Sequence, residues 1–221
     1  MSKAEDIIFF IKFGQKKYLE LLKNKGELYF KNAKFYNQIK KSNNEQGDEN
    51  EGAIWIENLK NYQLTLSHPE YGELKFKSVP NQIGKLTQFN HNYLITSFYS
   101  VSKKDFSTNG TLKISNKMTE MGDHALIILD TKKFLDSVLK SAKNIDIPII
   151  GKKVEYHDLS NEGRIDMSPF HKKNEHSYQN EFRIIIENSI EEFKILSIDE
   201  LSNNGIIIPV PKNQPLEFKI D

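Results

Sequence analysis

The chain has 221 residues, 31 basic against 30 acidic, and 38% hydrophobic side chains, enough for one sizeable core at almost no net charge. That balance excludes a global field drawing it to nucleic acid or an anionic membrane, and the absence of cysteine excludes disulfides, zinc–thiolate sites and thiol catalysis. Arginine stands only at Arg164 and Arg183, among many lysines, asparagines and isoleucines, a bias that AT-rich bacterial and phage coding produces.

In chain order, residues 1–6 are acidic rather than basic, and the apolar stretch at 7–11 is too short for a signal-peptide core. No run approaches the ~18 apolar residues of a membrane helix, so the expectation is a cytoplasmic protein with no membrane partner. Residues 7–13 read as a buried strand. Residues 15–25 follow as an amphipathic helix with Tyr18, Leu21 and Leu22 on one face and Gly26 as its stop. Residues 27–32 form a strand with Leu28 and Phe30 opposite Tyr29, and 33–41 a second helix. The polar, acidic loop at 42–52 is too hydrophilic for the core. Residues 53–76 are strands joined by turns, with alternation at 62–67 and 73–77 around the punctuation at 68–72.

Residues 93–100 form a β-branched and aromatic strand, 111–121 a helix ended by Gly122, and 125–129 a buried strand. Asp130 then caps a helix over 131–143 that buries Phe134, Leu135, Val138, Leu139 and Ala142. Residues 148–157 are extended, and the tail is β at 178–187, 193–198, 205–209 and 216–220. Strands outnumber helices without strict alternation, and no linker divides the chain. The expected fold is therefore α+β, a single domain over residues 1–221 with a mainly antiparallel, twisted β core and three to four helices.

The most informative line is Tyr178-Gln179-Asn180-Glu181-Phe182-Arg183-Ile184-Ile185-Ile186. On a strand, Tyr178, Phe182, Ile184 and Ile186 share an apolar, core-facing side. Gln179, Glu181 and Arg183 then share the other, about 7 Å apart. A carboxylate between an amide and a guanidinium stays ionised and oriented, suited to a ribose hydroxyl or a developing cation. The plain alternative is an ordinary solvent-side ion pair.

These residues carry a resemblance. Pro169 to Lys173, with His176-Ser177-Tyr178-Gln179-Asn180-Glu181-Phe182-Arg183, resembles the signature of a broad bacterial family of unknown function. That signature is a Lys, a spacer, and a Trp-x-Tyr-Glu-x-Glu-Tyr-Arg strand. Here His176 replaces the Trp and Gln179 the first Glu. Gly26 to Phe30, the acidic Gly47 to Gly52 loop and Ile95-Thr96-Ser97-Phe98 resemble further motifs of that family, in the same order. A fainter likeness is to ADP-ribosyltransferases of the diphtheria and cholera type, through Thr96-Ser97 and Gln179-Asn180-Glu181. It implies an ADP-ribosyltransferase-like fold and NAD chemistry. Glu181 would stabilise an oxocarbenium-like transition state, with Gln179 orienting the acceptor and Ser97 as the third catalytic position. Lys12, Thr96, Tyr99 and Arg183 would bind the dinucleotide. The first strand offers Lys12 where that superfamily has Arg or His, and lysine gives no bidentate phosphate clamp.

Two further features remain open. Asp48 and Glu51, with Glu45 and Glu49, are either solvated loop charges or oxygen ligands for a divalent cation, the latter implying a metal nuclease with Glu181. Tyr93, Phe98 and Tyr99 with Lys103 and Lys104 offer a stacking surface or plain packing. The six histidines form no helical zinc pair. Tyr156-His157-Asp158 reads as a surface turn, and His171 and His176 stand closest to the key strand. The functional expectation is a bacterial or phage protein of defence or toxin context with a nucleotide-type ligand near Glu181. It acts on NAD with a protein or nucleic-acid acceptor, or is a non-catalytic nucleotide- or protein-binding module.

Overall fold

A computed structural model describes residues 6–39, 46–77, 83–212 and 214–220. Its organising element is an eight-stranded sheet. Strands Ile149–Lys153, Glu181–Glu187, Tyr93–Ser102, Ile7–Gly14, His124–Ile128 and Gly205–Pro209 lie side by side in that order, every neighbour antiparallel. Glu27–Asn32 pairs with the start of Tyr93–Ser102 and carries Phe193–Ser197 on its other side. The mainly antiparallel α+β architecture and the four α-helices of the described chain agree with the sequence pattern.

One face of this sheet is covered by helices Lys16–Lys25 and Thr131–Asn144. Leu19 and Leu22 of the first, and Phe134, Leu135, Val138 and Ala142 of the second, pack on Phe10, Phe98, Leu126, Phe182, Ile184 and Ile186. Phe10 sits between Phe182 and Phe134 with ring centroids 4.9 and 6.0 Å away. Tyr18 and Leu139 are exposed rather than part of these faces; Leu19 holds the buried position of the first helix. The helix ends carry the expected chemistry. Asp130 accepts from the Lys133 N–H at 2.9 Å, and Gly26 adopts φ 67° to close the first helix.

The opposite face is covered in two separate patches. Phe9, Ile11, Tyr99, Val101, Ala125 and Ile127 pack with Leu112, Ile114 and Met118, and Tyr93, Ile95 and Ile185 pack with Ala33 and Phe170. Between the patches lies a polar strip, and the site occupies it.

Three expectations change. Residues 111–121 are not one helix. Thr111–Ile114 pairs antiparallel with Leu216–Lys219, burying Leu112 and Ile114, and only Asn116–Thr119 is helical. Long-range pairing overrides the weak helical pattern there. Second, the described part of the acidic loop, residues 46–52, is mostly buried, with Glu49 exposed. Asp48, Asn50 and Glu51 are buried, while Glu45 lies outside the described residues. Third, residues 178–180 are not strand: Asn174–Gln179 is a 3₁₀ turn closed by Asn180 at φ 37°.

Among the smaller sheets, Gly163–Asp166, Ala53–Lys60 and Ile83–Phe89 form an antiparallel trio, and Gln63–His68 with Gly72–Lys77 a hairpin. Glu155–His157 and His171–Lys173 form a parallel ribbon beside the site.

Candidate functional site

The strand Glu181–Glu187 divides its side chains as alternation requires. Phe182, Ile184 and Ile186 enter the helix-side core, while Glu181 and Arg183 face the polar strip. Tyr178 does not join the first set. The left-handed turn at Asn180 breaks the alternation, and Tyr178 packs on the other face with the Phe9–Met118 patch. Gln179 still reaches the site, from the turn rather than along the strand.

Arg183, 2% exposed, is the centre of a buried ionic cluster. Its Nε donates to Glu181 Oε1 at 2.8 Å, and Nη1 and Nη2 donate to the two carboxylate oxygens of Glu51 at 3.1 and 2.9 Å. Nη1 also donates to the Pro169 carbonyl. Glu181 takes a second cation, Lys172, whose Nζ lies 2.8 Å from Oε2 and donates to Gln179 Oε1 at 2.7 Å. The Ser97 hydroxyl donates to Glu181 Oε1 at 2.5 Å, and the Tyr93 hydroxyl to Glu51 Oε1 at 3.1 Å. From the parallel ribbon, the Tyr156 hydroxyl accepts the Glu181 N–H at 3.0 Å. Two carboxylates thus meet two buried cations, which makes the burial of all four tolerable.

Lys12 adds a fifth charge. The first strand pairs with Tyr93–Ser102 only as far as Ile11↔Tyr99, yet stays on His124–Ile128 through Gly14. Lys12 sits where the two strands part, its Nζ donating to Thr96 Oγ1 at 2.9 Å and to the Ser97 carbonyl at 3.1 Å. The ammonium also lies 4.6 Å from the Phe98 ring centre.

A cleft of about 230 Å³ opens above this cluster. Lys12, Ser97, Tyr99, Gln179, Glu181 and Arg183 all line it, as do Glu51 and Lys172, with Phe35, Tyr36, Met118 and Met121 as apolar wall. Thr96 is buried behind Lys12 and does not line it. The stacking surface does not exist as such. Tyr93, Phe98 and Tyr99 are all buried, Phe98 largely against the helices, and of the three Phe98 and Tyr99 border the cleft while Tyr93 does not.

Burial would raise the Glu181 carboxyl, but Arg183 and Lys172 outweigh it and hold the group well below the usual carboxylate range. Glu51 goes the other way: its burial outweighs the shared Arg183 and pushes the carboxyl up. Burial disfavours the Arg183 charge, yet Glu181 and Glu51 raise it well above its ordinary value. Burial brings Lys12 down to about 8, against the pull of Glu181. Burial and the neighbouring carboxylates push the Tyr36, Tyr93 and Tyr156 phenols up, so they remain hydrogen-bond donors at neutral pH.

Compared with protein-family models, curated proteins and solved structures, the chain matches none. The site therefore rests on its own geometry. Sequence reasoning placed Glu181, Arg183, Ser97 and Lys12 there, but missed Lys172 as a partner of Glu181. Its signal was present as the Lys that precedes the strand. It left Glu51 as either a solvated loop charge or a cation ligand, whereas Glu51 is buried and ion-pairs with Arg183. Asp48 is bonded within its own turn to the Asn50 N–H at 2.9 Å.

Proposed function

We propose that the cleft takes the nicotinamide–ribose end of an NAD-type dinucleotide and that the chain is an ADP-ribosyltransferase-like protein acting on its glycosidic bond. One observation carries this reading: Glu181 is ionised, borders the cleft, and is oriented by the Ser97 hydroxyl at 2.5 Å. An anionic oxygen in a partly dry cleft stabilises positive charge developing at a ribose carbon. The bond between ribose C1′ and the nicotinamide nitrogen breaks, and its electron pair neutralises the pyridinium. A hydroxyl or amine of a protein or nucleic-acid acceptor then bonds to C1′ and loses its proton. Gln179, held by Lys172, is placed to orient the acceptor, and Tyr99 and Met118 to contact the ring. Most of the Arg183 donors are already engaged, so its part is to position Glu181. The phosphate end is left to Lys12.

The fit is partial in one respect. The cleft, about 230 Å³, is below the roughly 300–1,000 Å³ of ordinary ligand pockets, so the adenosine half would lie outside it. A second reading, a non-catalytic nucleotide-binding module, is favoured by one observation: Lys172 and Arg183 already neutralise much of the Glu181 field. The metal-nuclease reading has less behind it, because Arg183 stands between Glu51 and Glu181, and its donors with the Lys172 ammonium occupy their oxygens.

The test is incubation of purified protein with labelled NAD, with and without cell extract, comparing wild type, Glu181→Gln and Ser97→Ala. Nicotinamide release or label transfer is expected, with a loss of about 100-fold in each variant. Ser97→Ala removes no charge, so it keeps the test valid if Glu181→Gln fails to fold. No turnover, but a melting temperature raised by NAD or a mononucleotide, establishes the binding module. Neither effect sinks both readings.

A further inference from the structure

The parallel ribbon beside the cleft has a second face. Alternation sends Tyr156 and Lys172 inward to Glu181, and leaves Glu155, His157 and His171 together on the outer side. Glu155 and His157 are two residues apart on one strand, and His171 is the register partner of Glu155 on the other. Their ligand-type atoms all lie within 4.8 Å of one another. The two imidazole rings meet edge to face with centroids 4.7 Å apart. His157 Nε2 is shielded from solvent yet has no hydrogen-bond partner, with Glu155 Oε2 at 3.8 Å, beyond bonding range. A shielded ring nitrogen without a partner is costly unless something else meets it. Lys173, on the same face beyond His171, is turned onto Glu175 at 3.0 Å.

We propose that Glu155, His157 and His171 form a binding site for a divalent cation of the zinc class, clamping the ribbon that presents Lys172 and Tyr156 to Glu181. Two imidazoles and one carboxylate suit zinc and its transition-metal neighbours, whereas calcium and magnesium favour all-oxygen sets. Three protein ligands leave a fourth position open to water. Small rotations of partly exposed side chains bring atoms at these separations onto one ion, with bonds of about 2.0–2.2 Å.

The test uses metal-free full-length protein titrated with Zn²⁺ against a chromophoric chelator, and with Co²⁺ followed by its visible ligand-field absorption. One equivalent is expected to bind with Kd below ~10 µM, with a melting temperature that climbs with free Zn²⁺. His157→Ala and His171→Ala each weaken binding at least ~10-fold and lose the Co²⁺ absorption, while His68→Ala retains both. The exposed Glu155→Gln supplies the same readout should a histidine variant not fold. Affinity weaker than ~100 µM, or undiminished in Glu155→Gln and the histidine variants, overturns the proposal.

Discussion

Lys12 enters the fold between Ile11 and Phe13 and spends its charge on a hydroxyl, a carbonyl and the edge of a cleft, with no carboxylate in salt-bridge contact among the described residues. Burial lowers its pKa from 10.5 to about 8, so folding works against this ammonium at neutral pH. The linkage has a definite sign. Between about 8 and 10.5 the unfolded chain holds the proton and the folded chain does not, so stability from this group rises with pH across that window. Lys12→Met is therefore expected to raise stability at pH 7 by about 1 kcal/mol, discounted because the side chain is partly exposed, and to flatten that alkaline rise. The same substitution should weaken nucleotide binding. Urea denaturation at pH 7 and 9.5, beside ligand titration, checks both; a variant less stable at pH 7 would contradict the account. A residue kept at a cost in stability is the pattern of a functional position.

At the scale of elements, turns decided what strands could not. The strand pattern through residues 178–186 is interrupted at Asn180, whose left-handed backbone is held by its amide donating to the Ser100 carbonyl at 2.7 Å. Without that turn, Tyr178 would lie among the helix-side phenylalanines; with it, Tyr178 packs on the other face and Gln179 meets Lys172. Gly26 is a second such point. Its φ is 67°, and a Cβ there would lie 1.9 Å from the Ile198 carbonyl oxygen, where the first helix meets the end of the Phe193–Ser197 strand. Gly26→Ala should cost well over ~1 kcal/mol, measured by thermal and urea unfolding. A neutral result would mean that the chain does not pass this close.

For the whole molecule, the sheet separates two tasks. One face is a continuous apolar layer under two helices, and the other is split so that five charged groups sit between apolar patches. The Gln63–His68 and Gly72–Lys77 hairpin takes no part in either: Leu64 and Phe76 face each other across it, yet each is more than half exposed. Leu64→Thr with Phe76→Thr is accordingly expected to shift global stability by less than ~1 kcal/mol, as read by calorimetry. A large loss would show that the hairpin is packed onto the core.

Much of this was legible in the sequence. The antiparallel α+β class, the Asp130 cap, the Gly26 stop and the inward set Phe182, Ile184 and Ile186 follow from period and punctuation, which are properties of neighbours along the chain. The acidic loop was misread because hydrophilicity predicts exposure only for charges without partners, and Glu51 finds its partner in Arg183, 132 residues away. The fate of residues 111–114 likewise depended on pairing with Leu216–Lys219. The sequence by itself thus determined most of the local elements and which side chains of the Glu181–Glu187 strand enter the helix-side core. Only the tertiary structure decided which charges share the strip, that Lys172 completes the grip on Glu181, and that Glu155, His157 and His171 meet on one ribbon. The physical reason is that a buried charge is tolerable only beside its counter-charge, and that proximity is set by sheet register and ribbon pairing rather than by spacing along the chain.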